Sequence, residues 1–313
     1  MVDHLPDHRH GLSDRLALGP DPRTLHRHVG GCKVMGYTVE MMLDDPRAEF
    51  IAPAGLDTPL SRALGLSVSG GQVRWWTEAQ TGQSFARIAP EGGPLKLRFT
   101  FDGKPTAYPE AIFRPSSSRY TRAAASLLAE VADLGTGPSQ IARAVAQKFD
   151  YGHPDKRFYD GHDDSLPALG CDRAAGSCVD INMYFLAALR AAGVEAGYIA
   201  GAFFPAEKGD WCRDGHCWIV TRTAEGVQEW DIAHHLKMGT RDIAPGLNPK
   251  PGFRAALSHS LGLTMPGGGM IKLLAEPVLA EAPHRYVPTR MIRLQHPDIP
   301  AGPLRPQLDS VMP

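Results

Sequence analysis

The chain has 313 residues, of which 43% are hydrophobic and 21% are charged, and its formal net charge is -1. This composition is typical of a globular protein, and the length predicts about two domains. The balanced charge argues against a nucleic-acid partner, and the lack of an apolar run near 18 residues argues against a membrane partner.

The cysteine count and the N-terminal composition predict a cytoplasmic protein. An odd number of cysteines fits a reducing compartment in which thiols are free for chemistry. Residues 1–30 are predicted to be an extension without the apolar segment of a secretory signal peptide. Its scattered histidines lack the spacing of a zinc site, so no metal or other cofactor is predicted. The cysteines are Cys32, Cys171, Cys178, Cys212 and Cys217, and these histidines are His4, His8, His10, His26 and His28.

Residues 31–115 are predicted to form a β-rich domain. Several runs alternate between apolar and polar residues, and Gly, Pro or Asp bounds each run. In the run "PLKLRFTF", Leu95, Leu97, Phe99 and Phe101 fall on one face. Alternation with a period of two buries one face and exposes the other, as in a sandwich or an antiparallel sheet.

Helical signals appear in the next predicted segment, residues 116–245. The stretch "GPSQIARAVAQKFDYG" has Ser139 as a candidate N-cap, and a long polar loop follows it. The helix after Cys178 is the best-defined element, because apolar residues recur at spacings of three and four. Gly193 stands where a left-handed residue ends a helix. Strand-like runs follow, the last of them "VQEWDIAHH", and residues 246–313 are predicted to be an extension that packs on this core.

Cys178 stands at the start of that helix, where a thiol becomes a better nucleophile. The thiolate rather than the thiol attacks a carbonyl, and the pKa of free cysteine is about 8.5. A helix N-terminus carries roughly half a positive charge and several unpaired N–H groups. These groups favour the thiolate and can also stabilise a developing oxyanion. We therefore predict that Cys178 is a nucleophile, which substrate approaches past Gly176 and Ser177.

His216 and Asp231 are candidates for the groups that such a nucleophile needs. Cysteine acyl chemistry requires a base and a group that orients the base. His216 opens the strand-like run "HCWIV", and Asp231 follows in "EWDIA". Two neighbouring antiparallel strands would set the two side chains together, facing the start of the helix. Asp231 would then fix the imidazole tautomer, while the imidazolium would hold Cys178 as a thiolate.

These motifs, in this order, resemble the transglutaminase-like superfamily. The resemblance rests on Gly-Ser-Cys before an apolar helix, then "LRAAGVEAGYIAG", "GHCWIV" and "EWD", and it covers about residues 123–235. It implies an α+β fold in which a papain-like transglutaminase core, with its nucleophile helix packed on an antiparallel β-sheet, follows an N-terminal β-sandwich-like domain. It also implies the roles of nucleophile, base and orienting acid for Cys178, His216 and Asp231.

The chain departs from this family at several positions. Members often have Arg after "LRALGIPA", where this chain has Gly197, and "DIA" replaces the common "DPT" after the acid. Calcium-dependent animal transglutaminases use a tryptophan near the oxyanion, but no tryptophan lies between Trp76 and Trp211 here. The second oxyanion donor is therefore unassigned.

The substrate cleft has four candidate residues. Tyr159 and His162 lie in the polar loop and are the candidates for the unassigned donor. Ser177 precedes the nucleophile, and Trp218 should point to the same side of its strand as His216. A zinc site built from His216 and nearby cysteines does not match the usual ligand spacing, so no metal is predicted here.

The predicted function is thiol-dependent acyl chemistry on a peptide, a protein or a small carboxamide. Attack by Cys178 would release an amine and leave a thioester. Hydrolysis of the thioester, as in a cysteine protease or amidase, is the first hypothesis. Transfer to an amine acceptor, as in a transglutaminase or an amide-forming acyltransferase, is the first alternative. A non-catalytic interaction module and a protein that binds metal through its N-terminal histidines are the others.

Overall fold

The structure, a computed structural model, describes residues 36–115 and 117–298. The predicted extension of residues 1–30, with its histidines and the metal-binding hypothesis that rests on them, lies outside the described residues. The described part is a mixed α+β arrangement in which most strands pair antiparallel. None of its helices has the length and apolar character that a membrane crossing requires.

The helices fall between residues 125 and 237, with strands before, between and after them. The helices are α1 (Ala125–Ala132), α2 (Pro138–Lys148), α3 (Cys178–Ala191) and α4 (Ile232–Lys237). The strands are β1 (Tyr37–Leu43), β2 (Phe50–Ala52), β3 (Arg62–Ser69), β4 (Gly71–Thr77), β5 (Ser84–Pro90), β6 (Leu95–Asp102), β7 (Phe149–Tyr151), β8 (Ala174–Gly176), β9 (Glu195–Pro205), β10 (Trp211–Cys212), β11 (Gly215–Thr223), β12 (Gly226–Trp230), β13 (Gly252–His259), β14 (Leu263–Thr264), β15 (Met270–Ile271), β16 (Val278–Leu279) and β17 (Thr289–Gln295).

Helix α3 packs against an antiparallel sheet with the strand order β12–β11–β9–β13. Ile181 and Phe185 of the helix share one hydrophobic cluster with Tyr198 of β9 and Ile219 of β11. Ten of the eleven residues of β9 are buried, because both faces of the strand are covered. The predicted helix that begins at Cys178, packed on an antiparallel sheet, is therefore confirmed.

Two further antiparallel sheets face a second hydrophobic cluster. One has the order β10–β17–β1–β6–β3, and the other has the order β16–β2–β5–β4. Val39 and Phe99 of the first sheet pack in the same cluster as Phe50 and Ile88 of the second. Phe204 of β9 joins this cluster as well, so it connects the β-rich region to the sheet under α3. The predicted alternation of β6 is confirmed by its buried inward face.

The C-terminal segment supplies the strands β13 to β17, which the sequence did not predict, and three of them, β13, β16 and β17, join the sheets described above. Strand β17 lies between β1 and β10, so that Thr38 pairs with Gln295. Strand β13 pairs with β9 and forms one edge of the sheet under α3. Both are held by partners far away in sequence, which leave no local pattern to read. The described residues fall within one compact unit, and the predicted segment boundaries stay predictions.

Two local predictions were wrong at their ends. Helix α2 begins at Pro138, so Ser139 lies inside the first turn and is not the N-cap. Proline suits the first helical position, because the N–H of any residue there has no acceptor within the helix and its absence costs no hydrogen bond. The run "VQEWDIAHH" is a strand only as far as Trp230. Helix α4 follows at once, because Asp231 caps it by accepting the His234 N–H at 3.1 Å.

Two glycines near α3 have clear steric reasons. Gly193 has a φ of 76°, which confirms the predicted left-handed end of the helix. Gly197 is one of the positions at which the sequence departs from the family pattern described above. A Cβ at this position would lie 2.5 Å from Cγ1 and 2.7 Å from the carbonyl oxygen of Ile112. The short 3-10 turn Glu110–Phe113 therefore packs so closely on β9 that only glycine fits.

Candidate active site

The start of α3 is fixed by a buried carboxylate. Asp180 accepts the backbone N–H of Ser177 at 2.8 Å and its hydroxyl at 2.7 Å. Arg157, from the loop before β8, pairs with the same carboxylate at 2.5 Å. The prediction that substrate approaches past Gly176 was wrong. Gly176 is buried, and a Cβ there would lie 2.8 Å from the Phe149 ring. These contacts hold the backbone before Cys178 in one position.

His216 and Asp231 meet at the other wall of the site. His216 is the second residue of β11, and Asp231 directly follows β12, which pairs antiparallel with β11 through Ile219 and Trp230. The Nε2 atom of His216 lies 2.9 Å from Oδ2 of Asp231, and both side chains are buried. Nδ1 of His216 is thus the ring nitrogen left to face the thiol.

The Asp231 carboxylate has two more partners. Nδ1 of His234 lies 2.9 Å from its Oδ2, and Arg254 of β13 donates to the same oxygen at 2.7 Å. The rings of His216 and His234 stack with their centroids 4.2 Å apart. His216, Asp231 and His234 form one group with the arrangement to hold a metal ion among the described residues. The Arg254 guanidinium, however, already places a positive charge on the shared oxygen and so opposes a cation there.

Cys178 lies between two hydrogen-bonding partners and remains partly exposed. Its thiol contacts the His216 imidazole and the thiol of Cys217. Cys217 is buried, and the Asn182 side chain holds it by donating to its carbonyl at 2.9 Å. Cys171, in contrast, is an exposed thiol seven residues away in the chain. The four cysteines of the described part are free.

The electrostatics favour charged forms of all three side chains. The hydrogen bonds with Cys217 and with His216 lower the pKa of Cys178 well below its usual range, against the opposite effect of burial. Burial lowers the pKa of His216, but the charge and hydrogen bond of Asp231 raise it to about 9. Burial raises the pKa of Asp231, yet its histidine partners and Arg254 hold it well below its usual range. A thiolate beside an imidazolium is therefore the favoured state near neutral pH.

A cleft of about 300 Å³ opens at Cys178. Its lining comes from the loop before β8, the start of α3, the start of β11 and the segment after β15, together with Tyr286. Lys272 and Glu276 are the charged residues of the segment after β15. Asp214, just before β11, and the Asp180 paired with Arg157 are the other carboxylates in the lining. A substrate carbonyl can enter this cleft and reach the sulfur.

The four predicted cleft residues have different positions. Ser177 lines the cleft as predicted. Trp218 does not, because it lies on the opposite face of the sheet to α3, in a small core cluster. Tyr159 is buried behind the lining, where its hydroxyl contacts Lys272. His162 is exposed and outside the lining, and its carbonyl accepts a hydrogen bond from Arg119.

Sequence reasoning assigned no role in the site to several of its residues. His234 had a signal, because a histidine three residues after a capping aspartate comes next to the carboxylate. Arg254, Lys272, Glu276 and Tyr286 had none, because they come from a segment punctuated by Gly and Pro without periodicity. Strand β13 carries Arg254 to the site, and the residues after β15 complete the cleft.

Comparison with known proteins bears on the central segment. A search of curated proteins found no match. Among solved structures, the chain is similar to a "putative cysteine protease from Cytophaga hutchinsonii", with 11% identity, 84% of this chain and 98% of that chain covered, and a TM-score of 0.44. Residues 122–230, which include Cys178 and His216, match the family described as the transglutaminase-like superfamily. Within these residues the chain is therefore similar to the transglutaminase-like superfamily, in agreement with the resemblance of its motifs.

Proposed function

We propose that this protein is a cysteine hydrolase in which Cys178, His216 and Asp231 form the catalytic triad. The observation that carries the proposal is a chain of contacts at the start of α3: Cys178 touches His216, whose far nitrogen lies 2.9 Å from Asp231. A nucleophile, a base and an orienting group in hydrogen-bonding order are what acyl transfer requires.

The proposed reaction uses the charges of the site in sequence. The Cys178 thiolate attacks an amide carbonyl, and the free N–H groups at the start of α3 stabilise the oxyanion. The His216 imidazolium then gives its proton to the leaving amine, which leaves a thioester and a neutral imidazole. The imidazole takes a proton from water, the hydroxide attacks the thioester, and the acid product departs as the thiolate and imidazolium return. Asp231 holds the ring in one tautomer throughout.

Hydrolysis is favoured over transfer to an amine because water reaches the sulfur. Cys178 is partly exposed at the floor of an open cleft of about 300 Å³. Transfer to an amine requires a site that keeps water away from the thioester. An acyltransferase remains the alternative, and the products of the reaction distinguish the two.

The test is turnover of a library of glutamine-containing peptides, with and without an added primary amine. We expect glutamate products or cleaved peptides, and no amine adducts. Cys178→Ala should lower kcat/KM by more than roughly 10,000-fold, and Asp231→Asn by roughly 100- to 10,000-fold, because the imidazole loses its orientation. Cys171→Ala, which removes an exposed thiol, should leave kcat/KM unchanged. Amine adducts would favour the acyltransferase, and full activity of Cys178→Ala would exclude the triad.

A further inference from the structure

A lysine without a carboxylate partner lies in the wall of the cleft. Lys272 follows β15 and lines the cleft together with Cys178. Its Nζ donates to the Tyr159 hydroxyl at 3.3 Å and lies 5.9 Å from the centre of that ring. Among the described residues, no carboxylate comes within ion-pair distance of Lys272, although many other basic side chains in this part of the chain have such partners. Its charge is therefore available to a ligand.

The second cation of the same wall is already neutralised. Arg157 pairs with the buried Asp180 at 2.5 Å, so its charge belongs to the start of α3. Lys272 is only partly exposed, and burial together with Arg157 lowers its pKa more than the more distant carboxylates Asp180 and Asp160 raise it. An ammonium that loses water without gaining a counter-ion is held at a cost in free energy. A bound anion would remove that cost, and the phenol of Tyr159 alone does not.

Two other charged residues of the cleft, Glu276 and Asp214, carry carboxyl groups, whereas Lys272 carries an amino group. Burial, with smaller effects of Asp214 and Cys178, raises the pKa of Glu276 above its usual value, although its carboxylate accepts the Gly215 N–H at 2.7 Å, which lowers the pKa. A negatively charged group in a substrate is repelled by these two carboxylates and attracted by Lys272. Apart from the His216 imidazolium, Lys272 is therefore the cationic group of the cleft that can accept an anion.

We propose that Lys272 forms a carboxylate-binding subsite next to Cys178, so that the preferred acyl donor is an acidic peptide. The role of the subsite in binding an acyl donor rests on the proposed function, but its affinity for anions does not depend on turnover. The carboxylate has two sources, an acidic side chain or the free C-terminus of a short peptide.

Alkylation of Cys178 by iodoacetate and by iodoacetamide tests the subsite without a substrate. The two reagents form the same thioether bond and release iodide, but only iodoacetate carries a carboxylate. Mass mapping yields the ratio of the two rates at Cys178, and the exposed Cys171 in the same sample is the internal reference. We expect the ratio at Cys178 to exceed that at Cys171 by roughly tenfold, because an ammonium in the wall of the same cleft attracts the anion.

Variants of Lys272 test whether its charge causes the preference of Cys178 for iodoacetate. Lys272→Met should lower the iodoacetate preference at Cys178 severalfold, and Lys272→Arg should keep it. Lys250→Met is the matched control, because Lys250 is similarly buried but pairs with Glu207 outside the cleft. An unchanged ratio in Lys272→Met overturns the subsite. If Cys178 reacts slowly with both reagents, the proposed triad fails, while the ratio still reports on Lys272.

Peptide substrates then distinguish the two sources of the carboxylate. Pairs that differ only by Glu against Gln beside the scissile bond test the side chain, and pairs that differ by a free against an amidated C-terminus test the terminus. The pair with the larger change in kcat/KM identifies the source, and that difference should vanish in Lys272→Met. Equal rates within both pairs contradict the proposal.

Discussion

At the residue scale, Asp231 shares its charge among three partners. His216, His234 and Arg254 all contact Oδ2 of this carboxylate within 2.9 Å. Arg254 therefore has two opposite effects on His216. Its guanidinium holds the carboxylate in place, and its positive charge reduces the pull of Asp231 on the imidazolium proton. We infer that Arg254 is a positioning residue that also tunes the pH range of the site.

The pH dependence of kcat/KM tests this inference. The raised pKa of His216, about 9, means that the imidazolium is present below that pH and is lost as the pH rises through it. The wild-type profile should therefore fall on its alkaline side near pH 9. Arg254→Met should move that limb upward by roughly one unit, because the unscreened Asp231 holds the proton more strongly. It should also lower kcat/KM at pH 7 by about tenfold as the carboxylate becomes mobile.

Two further variants separate this effect from a loss of structure. Arg254→Lys keeps the charge and should keep the alkaline limb near its wild-type position. Arg222→Met removes an arginine from β11, in the same sheet, whose partners are the surface residues Glu110 and Glu195, and it should leave the profile unchanged. A limb that stays in place or moves downward in Arg254→Met would contradict the tuning effect.

At the element scale, the start of α3 depends on one side chain. Asp180 accepts both donors of Ser177 and pairs with Arg157, so it joins the cap of the helix to the loop that walls the cleft. The proposed mechanism requires a rigid helix start, because N–H groups stabilise an oxyanion only if they already point towards it before the reaction. The remaining surface of α3 is almost wholly buried, which anchors the rest of the helix without fixing its first turn.

Removal of the cap should reduce stability and reactivity together. Asp180→Ala leaves the Ser177 N–H and Arg157 without their acceptor, and we expect it to lower the free energy of unfolding by about 2 kcal/mol. Urea titration measures this change, and the alkylation rate of Cys178 should fall in the same variant. Asp133→Ala, at the exposed end of α1, should change stability by less than roughly 0.5 kcal/mol. Equal stability of both variants would show that the cap is not needed.

At the scale of the whole molecule, the C-terminal strands tie the β-rich region to the site. Strand β17 joins β1, while β13 joins β9 and carries Arg254 to Asp231. The second hydrophobic cluster contains residues of β1, β9, β13 and β17. Because these sheets share one cluster, a loss of packing far from the cleft should also destabilise the structure around Cys178.

Ile292→Ala tests this coupling. Ile292 is fully buried in β17, and its truncation should cost about 3 kcal/mol through lost burial and the cavity left behind. Urea unfolding can be followed by circular dichroism and by the accessibility of Cys217. We expect both transitions to shift together to lower urea concentration. Arg290→Ala, on the same strand with its side chain 65% exposed, should leave both transitions in place. Separate transitions would instead indicate independent domains.

The sequence alone determined several local elements and the candidate residues on which the proposed chemistry rests. Period-two alternation identified β6, and apolar spacing with Gly193 identified α3. Cys178, His216 and Asp231 were found because a motif is a local pattern around each of them. The tertiary structure decided which residues surround that chemistry. Arg254 and Lys272 belong to a segment without periodicity. Only the pairing of strands far apart in the chain brings Arg254 to Asp231, and only the fold of the C-terminal segment brings Lys272 into the cleft at Cys178. Such contacts are set by the packing of the whole chain, so no local stretch of sequence records them.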